Sequence, residues 1–353
     1  ARTRDGTYWL LLAHHVDADA AKARERSDLL ELWCSGDGTV WTRATVVPLP
    51  ESGSGSLVAD PVQAQIFVIW QSSALQRGIA SVYAQTLDTE QRRWLGEPLL
   101  VAKGSGEDDQ YFANDLDRTA NGTLVAAIGS HRNPPQPIWN CGWSTALAVL
   151  RPQEQTWSLL PQVNVGSYGV GGGIHAHGDL VHLCYRTCPD EAIIALRSYD
   201  LAKKSFVQAK DEQVSLTLEQ PLGIANTCVP MIDALGGRYV LYVVGDHSPG
   251  KGRLCVGYTE QPGAEWRTLE VASDSALIRG NENYSHFTLA RGPGNQVFAF
   301  YSKTAEGAAA LYQRVLDHGE IIGEERQVAS SGAGAFVAVT GIRQAELRTE
   351  IGR

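Results

Sequence analysis

The side chains that could do chemistry in this sequence are histidines, tyrosines and arginines placed where apolar runs end. His131 follows the run Leu124-Val-Ala-Ala-Ile-Gly-Ser and opens a stretch stiffened by Pro134, Pro135 and Pro137. A neutral imidazole there could take the acidic C5 proton of a uronate, because its pKa lies near working pH; the plainer role is a loop histidine bonded to backbone. Tyr185 and Arg186 are adjacent on one apolar run, so alternation points them to opposite faces unless the strand ends there. A phenol could protonate a leaving glycosidic oxygen. A guanidinium could fork a sugar carboxylate and stabilise an enolate-like transition state. The plainer reading is a core tyrosine beside a solvated arginine.

Other residues extend this set. Tyr284 sits in Asn283-Tyr-Ser and Arg253 in Gly252-Arg-Leu. His14 and His15 end the first apolar run, one expected to face inward and the other solvent. Trp139 and Trp143 flank Cys141 and could stack on the apolar face of a sugar ring, with packing between sheets as the competing role. His175-Ala-His177 followed by His182-Leu-Cys184 is the densest group of ligand-type residues. His175, His177 and His182 could hold Zn²⁺, and histidines satisfied within a strand are the alternative. No cofactor is required by this chemistry; a structural zinc or calcium ion is the most that the composition suggests.

A repeating unit must position these residues. A polar stretch leads into a β-branched and aromatic strand, then a Gly-containing turn, a second strand, and a segment closing on Trp41, Trp94, Trp157, Phe206 or Trp266. That order and spacing is the signature of a four-stranded propeller blade. Modules fall at about 5–50, up to 103, 108–157, 164–215, 220–273 and 280–329. The first module lacks an innermost strand, and a tail with strands at 335–340 and 346–351 could supply it and close the ring. The expectation is one all-β domain over 1–353, a propeller of six blades, with seven blades or a β-sandwich as alternatives.

The bulk composition narrows the partners. The 353 residues carry a net charge of −9, and 43% are hydrophobic. A net negative chain lacks the broad cationic face that nucleic acid demands. No run is apolar and long enough to span a bilayer. Six cysteines leave free thiols and disulfides both open, with Cys184 and Cys188 able to close a small loop. The chain opens at Ala1 with no apolar leader, as a processed secretory protein would. A secreted or periplasmic monomer that meets a saccharide is the expectation.

Cys34-Ser-Gly-Asp-Gly-Thr-Val-Trp41 resembles a shortened Asp box, the turn of sialidases and related propellers. In such a turn the Asp carboxylate accepts backbone N–H bonds and the Trp packs between blades. Arg197-Ser-Tyr-Asp200 and the segment from Tyr258 to Trp266 stand as degenerate versions. Within that superfamily, Tyr284 resembles the tyrosine nucleophile of sialidases, and Arg186 and Arg253 their carboxylate-binding arginines. Gly171-Gly172-Gly173 occupies the place of their activating glutamate. The layout Asp109 to Asp117, Asn121-Gly122, His131 to Pro134, then Tyr185-Arg186, is similar to the BNR-repeat group of ulvan lyases, rhamnosyl-glucuronate lyases and related rhamnosidases. The resemblance implies a carbohydrate-active enzyme. A polysaccharide lyase cleaving at a uronate leads, with a sialidase-like exo-glycosidase and a non-catalytic glycan-binding propeller as alternatives.

Overall fold

A computed structural model describes residues 1–14, 29–37, 40–50, 52–74, 79–106, 109–132, 143–166, 172–187, 193–215, 224–244, 252–275, 287–305 and 308–330. These residues form strands and turns and no α-helix, so none crosses a membrane as a helix. Six antiparallel sheets follow one another along the chain. Blade 1 holds β1 (Tyr8–His14), β2 (Leu29–Ser35) and β3 (Thr42–Val46). Blade 2 holds β4 (Ser52–Ala59), β5 (Gln65–Ser72), β6 (Ser81–Asp88) and β7 (Arg93–Ala102). Blade 3 runs β8 (Asp109–Arg118), β9 (Leu124–Arg132), β10 (Trp143–Leu150) and β11 (Ser158–Gly166). Blade 4 runs β12 (Gly173–His177), β13 (Leu180–Arg186), β14 (Ile194–Asp200) and a split outer strand, β15 (Ser205–Phe206) with β16 (Glu212–Gln213). Blade 5 is β17 (Ile224–Ile232), β18 (Arg238–Val244), β19 (Gly252–Thr259) and β20 (Arg267–Ser275). Blade 6 is β21 (Phe287–Arg291), β22 (Val297–Ala305), β23 (Ala308–Asp317) and β24 (Glu320–Ser330). The fold is a six-bladed β-propeller, each blade a short meander. The chain divides into two compact units, one carrying blades 1–3 and the other blades 4–6.

The apolar pattern tells each strand its rank in the blade. Middle strands are covered on both faces and read as unbroken apolar runs. β18, Arg-Tyr-Val-Leu-Tyr-Val-Val, is buried at every position. Outer strands face solvent, and β7 is largely exposed along Arg93–Leu100. Side chains of neighbouring blades interlock between the sheets. Leu30, Leu32, Ile66 and Trp70 fill the space between blades 1 and 2. Ile69, Val82, Leu124 and Ile128 fill the space between blades 2 and 3. Cys184, Ile194 and Leu196 meet Val240, Tyr242 and Val244 between blades 4 and 5. Leu241, Val256, Leu289 and Tyr301 do the same between blades 5 and 6.

The closing tryptophans stand at or just before the start of the outermost strand, and Trp94, Trp157 and Trp266 reach back to the preceding blade. Trp94 donates its indole N–H to Val46 O of blade 1 at 2.9 Å. Trp157 packs with Val58, Ile69 and Val82 of blade 2. Trp266 donates to Glu212 of blade 4 at 3.4 Å. At the turn before Trp41, the Asp37 carboxylate accepts from Ser35 Oγ and Val40 N, each at 3.0 Å. Asp88 and Asp200 make the same kind of turn, accepting the N–H of Gln91 and Lys203 at 2.8 Å.

A second repeated turn joins first to second strands. Thr119 N donates to Thr123 O at 2.9 Å, and Gly122 takes φ 92°. Asp233 N donates to Gly237 O at 2.9 Å, and Gly236 takes φ 93°. Thr3 N donates to Thr7 O at 2.9 Å, and Gly6 takes φ 90°. β1 is therefore the second strand of blade 1, consistent with Trp41 standing just before β3. Arg2 bridges Tyr8 beside it. Among the described residues, Ala1 and Arg2 alone occupy the first-strand position. The tail expected to complete that blade, 335–351, and the stretch 17–28 lie outside the described residues. Gly122 belongs to the turn, and β9 begins at Leu124.

Candidate functional site

Each blade has two ends. At one, first strands turn into second strands and third strands into fourth. At the other, second strands finish and third strands begin. His14 ends β1, a second strand, opposite Leu29. His131 stands at the end of β9, a second strand, opposite Gln110 at the start of β8. Arg186 ends β13, and Arg253 is the second residue of β19. Trp143 begins β10. In every case the residue sits at the second kind of end of its own blade. His15, Trp139 and Tyr284 lie outside the described residues; in sequence Tyr284 stands three residues before β21, a first strand.

Register fixes which wall the two arginines belong to. Arg186 is paired with Ile194, and Arg253 with Val244. Ile194 and Val244 belong to the one apolar cluster that joins blades 4 and 5. Cross-strand partners share a face, so Arg186 and Arg253 line facing walls of the same inter-blade seam, at the same end. The guanidinium of Arg253 bears on two buried groups of that seam. Burial pushes the Tyr242 phenol up to about 12 and the Cys255 thiol up to about 11, and in both cases Arg253 pulls the other way. Arg253 Nη1 also lies 3.5 Å from Glu270 Oε2, with both side chains over two-fifths exposed. Gly173 lets the two walls approach, since a Cβ there would stand 2.3 Å from Cys228 O.

Tyr185 lies on the other face of β13 with Leu183 and Arg197. It is 1% exposed. Burial, followed by the neighbouring Asp211 carboxylate, holds its phenol far above the usual range. Arg197 is held by Asp211 at 3.2 Å and stacks over Phe206 with its central carbon 3.8 Å from the ring. Arg186, not Tyr185, faces the seam.

The three histidines fall toward the opposite end of blade 4. His175 pairs directly with His182, and His177 with Leu180 beside the turn. All three share the face of Arg186. His182 Nδ1 lies 2.9 Å from Ser198 Oγ. Burial, then the neighbouring His175, Arg238 and His177, keep His182 well below the ordinary imidazole range. His177 is lowered by burial and by His175 and Arg291, against Asp233. Among the described residues no three His, Cys, Asp or Glu side chains are placed to hold a metal ion. The zinc set His175, His177 and His182 is corrected accordingly: His182 is committed to Ser198 inside the sheet interface. Cys34, Cys228 and Cys255 are buried free thiols; Cys184 is buried, and Cys141 and Cys188 lie outside the described residues.

The same interface holds a polar chain that the sequence did not suggest. Gln208 takes Ser198 N and donates to Ser198 Oγ, at 2.9 and 3.2 Å. Glu212 receives both guanidinium arms of Arg238, at 2.7 and 2.8 Å. Arg238 is 1% exposed and also donates to Gln261 O at 2.9 Å. Its partner lies 26 residues away, beyond the reach of any local pattern.

No family model and no curated protein matches this sequence. Solved structures do. A protein of unknown function from Dyadobacter fermentans aligns with TM-score 0.58 and 13% identity, over 90% of this chain and 92% of that one. A polysaccharide lyase of family PL25, an ulvan lyase bound to a glucuronate–sulfated rhamnose repeat, aligns with TM-score 0.56 and 12% identity, over 93% and 82%. The Trypanosoma rangeli sialidase aligns with TM-score 0.52 and 12% identity, over 88% of this chain and 53% of that protein. At such identities the likeness speaks for architecture: the chain is a β-propeller with the fold shared by sialidases and ulvan lyases.

Proposed function

We propose that this protein is a carbohydrate-active enzyme that acts on an acidic saccharide, and that it cleaves beside a uronate by β-elimination. The observation that carries the reading is the pairing of Arg186 and Arg253 on facing walls of one seam. Two guanidinium groups at the same end of facing sheets suit an acidic ligand, since each can fork a planar carboxylate. Neutralising that carboxylate acidifies the C5 proton and stabilises the enolate-like transition state. His131, near the end of β9, keeps the role of base that its sequence suggests. Tyr185 is buried on the face of Arg197, away from Arg186; the acid role is therefore proposed for Tyr284, the other phenol that the sequence singles out. His14, His15, Trp139 and Trp143 are assigned to contacts with flanking sugar units. The glucuronate bound by the similarly folded ulvan lyase supports an acidic sugar as ligand.

The test is incubation with ulvan, gum arabic and pectin-type polymers, following ultraviolet absorbance of the unsaturated uronate product. Absorbance should rise with at least one polymer, and His131→Ala should slow it by about 100-fold or more. New reducing ends without absorbance would replace the lyase by a hydrolase. Silence on every acidic polymer would remove the enzymatic reading.

A further inference from the structure

Glu270 is the feature of the seam that the proposed chemistry does not use. It lies on β20, paired with Cys255, and Cys255 shares the blade-4-facing wall with Arg253. Bulges between Gly252 and Leu254 and between Leu254 and Cys255 bring β20 out of step beside Arg253. The resulting ion pair is a single contact of 3.5 Å between two side chains that are 43% and 44% exposed. Such a pair is weak and readily exchanged. A monodentate contact also leaves most of the guanidinium fork unused.

We infer that Glu270 is a specificity-determining residue: an internal carboxylate that occupies Arg253 in the free protein and yields to the carboxylate of an acidic sugar. The inference rests on the acidic-saccharide reading of the seam and adds a filter to it. A ligand carboxylate with both oxygens in plane displaces Glu270 by forming the fork that Glu270 does not. A neutral sugar offers nothing in exchange and leaves the pair intact. Glu270 also repels an anion docked close to it, so only a ligand that engages Arg186 as well gains enough to bind. The arrangement selects for a carboxylate held by both walls over a charge that merely lands near Arg253.

The experiment is titration calorimetry of D-glucuronate and of its uncharged methyl ester with the intact chain, Glu270→Gln, and Glu270→Gln combined with Arg253→Gln. Removing the internal competitor and its repulsion should tighten glucuronate binding about three- to tenfold. The gain should be absent for the methyl ester and absent in the double variant. Equal or weaker glucuronate binding by Glu270→Gln, with the parent protein binding normally, overturns this inference alone and makes Glu270 a bystander or a brace. No glucuronate binding by any of the three proteins overturns it together with the acidic-saccharide reading.

Discussion

Arg253 and His182 share one wall-to-wall seam and carry opposite expectations. Arg253→Gln should lower kcat/KM on a uronate polymer by about 100-fold, the loss expected when a charge-assisted fork on a reacting group is removed. Steady-state kinetics with the folded variant checks this. His182 resists protonation when folded, whereas an unfolded histidine titrates near about 6.5. The unfolded chain therefore binds more protons below that pH, and stability falls as pH drops, by up to about 1.4 kcal/mol per pH unit for one such group. Thermal melts from pH 7 to 5 should show the decline, and His182→Asn should flatten it. At this scale the sequence yielded residue types and strand ends but not company. His175, His177 and His182 were recognisable as a dense group, but not their pairing. That Ser198 engages His182, or that Tyr185 turns away from Arg186 toward Asp211, depends on strand partners that no local spacing encodes.

Between blades 4 and 5, two elements hold the seam. The Arg238–Glu212 pair clamps the outer strand of blade 4 to blade 5, with side chains 2% and 12% exposed. Glu212→Gln leaves a buried guanidinium without its counter-charge and should cost about 3–5 kcal/mol in urea unfolding. Replacing both, Glu212→Leu with Arg238→Met, should recover most of that loss. Gly173→Ala places a methyl group against the Cys228 carbonyl, a backbone atom that cannot rotate away. It should destabilise by about 1–3 kcal/mol and weaken saccharide binding by spreading the walls. The strands themselves were readable because middle strands buried on both faces demand long apolar runs. The aromatic after each third strand marked the blade period, since Trp94 and Trp266 tie each blade to the one before. The clamp was hidden because Arg238 opens an apolar strand and looks like an ordinary surface cation.

For the molecule as a whole, six modules in the sequence correspond to six sheets, with boundaries that move by a few residues. The rank of β1 came from the Thr3–Thr7 turn, whose match to Thr119–Thr123 becomes evident only when both sets of hydrogen bonds are laid side by side. Fold was readable since every blade restates it. Site was not, since it occurs once and is assembled from strand ends far apart in the chain. The most direct measurement is a crystal structure of the chain soaked with a glucuronate-containing oligosaccharide. The expected result is a sugar carboxylate bridging Arg186 and Arg253 with Glu270 swung aside. A saccharide seated at the His177 end of the blades, or one leaving both arginines untouched, would contradict the assignment of this seam as the place where the protein acts.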